Sequence, residues 1–189
     1  EIHVMMQEAV MWKAGQVVGE NLRLALADGL AGGSGHAATA GDKDHWYRAS
    51  PPVEMPLSGF GAVLMRKDPP FDAEYITSTW LLEQAVRDGA RVFNDPRSVR
   101  DHSEKLAIMQ YAQFTAPPLV PRLPGQIHDF IDAHGDAILK PLDGMGGESV
   151  FRVTDTDSNR YVIVETITRH GSRTVMAQRF IPEIREGDK

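Results

Sequence analysis

The stretch "KPLDGMGGESVFR", Lys140 to Arg152, sets three glycines, a lysine and an arginine between two apolar runs. Asp136-Ala-Ile-Leu leads in and Ser149-Val-Phe leads out, which puts the glycines at a hairpin tip rather than inside a helix. Gly144, Gly146 and Gly147 can present consecutive backbone N–H groups without a Cβ in the way, the geometry of an anion nest able to close over a polyphosphate. The same glycines also suit a plain turn that needs positive φ, and their number does not separate the two readings. Lys140 ends the leading strand four residues before Gly144, and Lys105 interrupts an otherwise apolar helical stretch containing Leu106, Ile108 and Met109. Each lysine is either a solvated terminus or a point charge aimed at phosphate. Arg152 reads equally as a surface charge or a second phosphate contact.

Downstream, "MAQRFIPEI" reads as a strand ending in a proline-marked bend, whose free backbone groups suit a flat heterocycle, and "EGD" adds a carboxylate suited to ribose hydroxyls. Other phosphate and metal signatures fail. No G-x-x-x-x-G-K-[ST] occurs, and Gly59-Phe-Gly61 lacks the later glycine and following helix of a dinucleotide fingerprint. His3, His36, His45, His102, His128, His134 and His170 show neither H-x-x-x-H nor H-E-x-x-H spacing and read as surface or satisfied core groups. Asp155 and Asp157 read as a solvated turn, and Trp12, Trp46 and Trp80 as core or edge packing.

The elements that must position these groups follow from pattern. A hairpin around Ala14-Gly15 is expected over 9–26, then a Gly/Ala/Ser-rich mobile loop over 28–44. A buried strand at Ala62-Val-Leu-Met stops at Arg66-Lys-Asp-Pro-Pro, the kind of strand end that faces a ligand. Asp72 caps a helix over 73–88 with Ile76, Trp80, Leu81 and Ala85 inward, a strand follows at 90–93, and "SVRDHSEKLAIMQYA" is helical. This order predicts a parallel sheet with covering helices to about residue 115. "TAPPLVPR" reads as a crossing linker, followed by a helix over 128–134, strands to Lys140 and over 149–154, a helix over 161–170 and a strand over 173–181. The expected class is α/β (α+β), with domains at 1–117 and 118–189.

With 189 residues, 42% of them hydrophobic and 24% charged, the chain can bury one or two cores. It has no cysteine, which removes disulfides and thiolate sites and accords with a reducing, cytoplasmic setting. A net charge of −6 argues against nucleic acid as a partner. No apolar run approaches the roughly 18 residues of a membrane span, so no membrane partner is expected. The chain starts at Glu1 inside a strand and stops at Gly187-Asp-Lys with no closing element, which is expected of a piece truncated at both ends.

Together, "LMRKDPPFD", "SVRDHSEK", "ILKPLDGMGGESVFRV" and "MAQRFIPEIREGDK" resemble bacterial glutathione synthetases of the ATP-grasp superfamily over essentially the whole chain. The resemblance implies a pre-ATP-grasp α/β domain followed by the first part of an ATP-grasp domain. It implies ATP phosphate contacts at Lys105 and Lys140, a covering glycine loop at Gly144, Met145, Gly146 and Gly147, and adenine recognition by backbone groups of Arg179 and Ile181. Gln178 would support that site, Asp188 would take the ribose, and Arg66 and Asp68 would sit beside the peptide substrate. The implied reaction phosphorylates the C-terminal carboxylate of γ-glutamylcysteine with ATP, and glycine attacks the acyl phosphate to give glutathione. Mg2+ or Mn2+ is the implied metal, with its ligands and the catalytic arginines downstream of Lys189, and a homotetramer the implied assembly. Without those downstream groups the 189 residues alone are expected to be inactive. Another ATP-grasp carboxylate–amine ligase, or a nucleotide-binding fragment without turnover, stays open as an alternative.

Overall fold

An eleven-residue strand, β3 (Gln16–Leu26), collects most of the N-terminal backbone pairing. The computed structural model describes residues 1–26 and 47–187; the expected loop over 28–44, Trp46 and Asp188 lie outside the described residues. β1 (Ile2–Val4), β2 (Val10–Lys13), β4 (Tyr47–Ala49) and β5 (Val53–Pro56) all pair with β3 antiparallel. The β2–β3 hairpin turns at Ala14 and Gly15, with φ of 50° and 89°, the two positive values a tight two-residue turn requires.

The expected parallel sheet is reduced to one pair: β6 (Val63–Leu64) beside β7 (Val92–Phe93), joined through α1 (Ala73–Arg87). The pairings onto β3 are antiparallel, and the two-residue turn between β2 and β3 is too short for a parallel crossover. Asp72 caps α1 as expected, its Oδ1 accepting the Tyr75 N–H at 2.9 Å. The inward face of α1 differs in part from expectation: Ala85 is buried as expected, but Ser78, Thr79 and Leu82 join it while Trp80 is 57% exposed. Thr79 tolerates burial because its hydroxyl donates to the Ile76 carbonyl at 2.7 Å. Trp80 instead meets the Arg100 guanidinium, 5.9 Å from its ring, and Trp12 is exposed too. The core of this part joins Val17, Leu57, Leu82, Ala85, Ala90 and Val92.

The chain divides into two compact units, Glu1–Lys67 with Ile76–Arg100, and Asp68–Tyr75 with Asp101–Lys189. The division lies ahead of the 117/118 boundary read from the proline-rich linker, because that linker forms a strand of the second unit's sheet. The short α2 (Pro96–Asp101) ends at the division.

In the second unit, β8 (Pro118–Leu119), β9 (Asp136–Pro141), β10 (Phe151–Thr154) and β11 (Val175–Arg179) form an antiparallel sheet in the order β10-β9-β11-β8. α3 (Pro124–His134) and α4 (Arg160–Thr168) cover one face. α3 starts earlier than the expected residue 128 because Pro124 suits a first helical turn, where its missing N–H is not needed. It stops at Gly135, whose φ of 73° returns an N–H to the Ile131 carbonyl at 2.8 Å. Ile127, Phe130, Ile131, Val164 and Ile167 pack on Ala137, Leu139, Val153, Val175 and Ala177. Arg160, 8% exposed, ties the helices together: it donates to His128 Nδ1 at 3.0 Å, the His128 carbonyl at 3.1 Å and Asp132 Oδ1 at 2.5 Å. Burial, then the Arg160 charge, hold the His128 pKa below its ordinary value. Among the described residues no helix is long and apolar enough to cross a membrane.

Candidate functional site: a glycine loop and a sheet edge

Strand alternation in β9 buries Ala137, Leu139 and Pro141 and turns Asp136, Ile138 and Lys140 to the sheet face away from the helices. Register aligns Arg152, Ile138 and Gln178 in one row of that face, and Lys140 and Met176 in the next. The lysine and glutamine singled out by sequence therefore share a face, one row apart.

After β9 the chain forms the loop 142–150. Gly146, Gly147 and Ser149 have φ of 66°, 80° and 57°. A Cβ on Gly146 or Gly147 would meet nothing within 4 Å, so backbone conformation, not space, selects glycine there. Two turns shape the loop: the Glu148 N–H donates to the Met145 carbonyl and the Val150 N–H to the Gly147 carbonyl, both at 3.2 Å. Among the described residues, the amide N–H groups of Gly144, Met145, Gly146 and Gly147 meet no protein acceptor. These residues, Glu148 and Val150, together with Glu104, Lys105 and Pro141, line a cavity of about 130 Å³. That is room for about four waters, the scale of a phosphate group rather than a nucleoside.

Lys105 Nζ donates to the Gly144 carbonyl at 2.5 Å and lies 3.9 Å from Glu104. It does not stand on a helix as expected. α2 ends at Asp101, and Lys105 immediately precedes a 3-10 stretch over Leu106–Phe114. Between the two, the Ser103 carbonyl accepts the Ala107 N–H at 2.9 Å and its hydroxyl faces the Leu106 N–H at 3.5 Å. Lys140 does not line the cavity, but burial, and after it the Lys105 charge, lower its pKa, with Glu104 opposing. A cation depressed by burial and a second cation is a site favouring an anion.

Asp143, which sequence reasoning passed over, anchors the loop base. Its carbonyl accepts the Phe71 N–H at 3.0 Å, joining the "DPPFD" and "DGMGG" stretches, and its carboxylate pairs with Arg173. Arg66 follows β6 and is exposed; Asp68 is exposed and raises the Tyr75 pKa, secondary to burial. The two belong to different compact units.

At the other end of the face, β11 ends at Arg179, two residues short of the expected Ile181. The Arg179 N–H donates to the Pro117 carbonyl at 3.3 Å, and Pro117 has no N–H to return. The Arg179 carbonyl accordingly accepts no bond from that neighbour. Ile181 is extended, with φ −108° and ψ 103°, and among the described residues its N–H meets no acceptor. A free acceptor and a free donor two residues apart therefore lie along one strand edge. Arg152 does not line the glycine-loop cavity: its guanidinium is held by Asp136, Nη2 to Oδ2 at 2.6 Å, and lies 3.8 Å above the Phe180 ring. Among the described residues no three His, Asp or Glu side chains converge to hold a metal ion, and none is assigned to one.

A model of the prokaryotic glutathione synthetase ATP-grasp domain matches residues 104–189, and one of that family's N-terminal domain matches residues 1–100. The solved structure of a D-cycloserine synthetase, 21% identical, aligns with a TM-score of 0.50 over 68% of this chain and 46% of its own, a likeness of fold alone. The second unit is thus of the ATP-grasp class. A glutathione synthetase of Nitrosomonas europaea is 53% identical over 190 residues, covering 100% of this chain and 56% of its own. That of Ralstonia nicotianae is 59% identical over 152 residues, covering 80% and 47%. The chain belongs to the prokaryotic glutathione synthetase family. It spans about half the length of the curated relatives it matches.

Proposed function

We propose that this chain carries nucleotide-binding machinery of a glutathione synthetase, which joins γ-glutamylcysteine to glycine and releases ADP and phosphate. The observation that carries this reading is the run of unpartnered amides from Gly144 to Gly147 over a phosphate-sized cavity beside two lysines. ATP supplies the phosphoryl group that activates the γ-glutamylcysteine C-terminal carboxylate toward the glycine amine. Lys105 and Lys140 offset phosphate charge, and the amides of Gly144, Met145, Gly146 and Gly147 bind phosphate oxygens in a setting that water leaves as the loop closes. At the sheet edge the Arg179 carbonyl accepts from the adenine amino group and the Ile181 N–H donates to the neighbouring ring nitrogen. Gln178 braces that edge, Asp188 takes the ribose, and Arg66 and Asp68 flank the peptide substrate. Mg2+ or Mn2+ accompanies ATP on ligands outside the described residues. The working form is a cytoplasmic homotetramer, which light scattering of the intact protein checks.

The test is turnover by the intact protein, followed as ADP release. Release that requires both γ-glutamylcysteine and glycine supports the reading. Tight ATP binding without release would make it a nucleotide-binding module, and release with a different amine another carboxylate–amine ligase.

A further inference from the structure

Between the free acceptor at Arg179 and the free donor at Ile181 lies Phe180, held at two points from one residue. Its N–H donates to the Asp136 carbonyl at 3.0 Å. Its ring lies under the Arg152 guanidinium, 3.8 Å from carbon to centroid. That guanidinium is fixed in turn by the Asp136 carboxylate: Nη2 to Oδ2 at 2.6 Å, and Nε to Oδ1 at 3.1 Å and Oδ2 at 3.2 Å. Arg152 stands opposite Ile138 and reaches diagonally along the face to Asp136, at the point where β11 leaves the ladder.

This geometry is more than a surface ion pair. An isolated pair with side chains 42% and 29% exposed contributes little to stability. A planar guanidinium held bidentately and laid on an aromatic ring has a fixed orientation, which a lysine cannot reproduce. It holds down the one residue whose two flanking peptides carry the free carbonyl and the free amide. Without it, among the described residues, the chain beyond β11 keeps the single Phe180–Asp136 main-chain bond before the bend at Pro182.

We propose that Arg152, through Asp136 and Phe180, is a positioning residue for base selection, setting the Arg179 carbonyl and Ile181 amide at the spacing an adenine edge requires. The proposal rests on the reading of residues 179–181 as the adenine site. Hypoxanthine reverses both hydrogen-bonding groups of that edge, so ITP gains nothing from the pair being well placed and ATP gains from both.

The experiment is steady-state kinetics of the intact protein with ATP and with ITP, for wild type, Arg152→Met, Arg152→Lys and Phe180→Leu. Arg152→Met is expected to raise the KM for ATP about five- to tenfold, with kcat within about twofold and ITP little affected, so the ATP-over-ITP preference shrinks by that factor. Phe180→Leu, which leaves the ion pair intact, should move the preference the same way by less, and Arg152→Lys should resemble Arg152→Met. A purely structural loss lowers activity with both nucleotides alike and overturns the proposal. So does a wild-type preference in Arg152→Lys and Phe180→Leu, which serves if Arg152→Met fails to fold. A wild type that does not prefer ATP removes the adenine reading itself, and the proposal with it.

Discussion

Two stretches of the second unit leave backbone groups without partners, by opposite physical means. In the loop 142–150 the amides are free because Gly146 and Gly147 adopt positive φ and turn them away from any ladder. At the end of β11 the Arg179 carbonyl is free because Pro117, across from it, lacks the N–H that would complete the pair. The first stretch is tied at its base by Asp143 and across by Lys105; the second extends a sheet whose other face is a buried core. Glycine leaves a backbone able to adapt, whereas proline opposite a strand leaves one already set. A phosphate that must be enclosed and released suits the former, and a flat base read by its edge suits the latter.

The largest effect tests the loop side. Lys140→Met keeps the aliphatic stem and removes the charge, and is expected to weaken ATP binding about 100-fold in calorimetric titration. Since burial and Lys105 depress the Lys140 pKa, the same change should leave the unliganded protein equally or more thermally stable. A parallel loss of stability and affinity would mean that Lys140 is there for packing. Next comes Gly147→Ala. A Cβ there has open space but φ is 80°, so the cost is conformational, about 1 kcal/mol. A five- to tenfold loss of ATP affinity, about equal for ATP and ITP, would separate the loop from the base-reading edge; an ATP-selective loss would merge them.

Legibility in the sequence followed the range of each interaction. The Ala14-Gly15 turn, the Asp72 cap and the Gly135 stop are set by neighbours in the chain and were readable as such. The glycine tip and Lys140 were readable for the same reason, since strand, lysine and loop are contiguous. Pairing onto β3 was not: four strands from both sides meet one strand, and nothing local marks β3 as the shared partner. Arg152 stayed open because its fate depends on a diagonal neighbour on β9 and a ring beyond β11. Apolar spacing places Lys105 on a helix because it cannot register that α2 ends at Asp101. The meaning of Pro117 needed the register of β8 against β11.

Pro117 then sharpens the edge side at smaller amplitude. Pro117→Ala supplies an N–H within reach of the Arg179 carbonyl, which would then be shared between β8 and a bound base. The expected result is a three- to fivefold rise in the KM for ATP with no change for ITP, and slightly higher thermal stability from the added pairing. Unchanged ATP kinetics would show that the carbonyl is not what the base contacts.

The smallest effect lies behind the sheet, at the clamp that keeps both stretches on one scaffold. Arg160 Nε donates to His128 Nδ1, so that nitrogen must carry a lone pair, and the His128 pKa is accordingly held below 6.5, first by burial and then by the Arg160 charge. The unfolded chain takes up a proton near 6.5 while the folded chain resists it. The stability is therefore complete above about pH 6.5 and declines as pH falls toward the lower folded value. Asp132, Asp129 and Glu165 favour protonation and Arg160 opposes it, with the Tyr161 ring tilted 38° to the imidazole at 4.4 Å. Because the side chain is only partly buried, the loss between about pH 7.5 and about pH 5.5 should stay under about 1 kcal/mol in urea denaturation. His128→Gln offers Arg160 an acceptor that does not titrate, and should flatten that decline while leaving neutral-pH stability nearly unchanged. An equally steep decline in the variant would move its origin to another histidine and leave the helix clamp indifferent to pH.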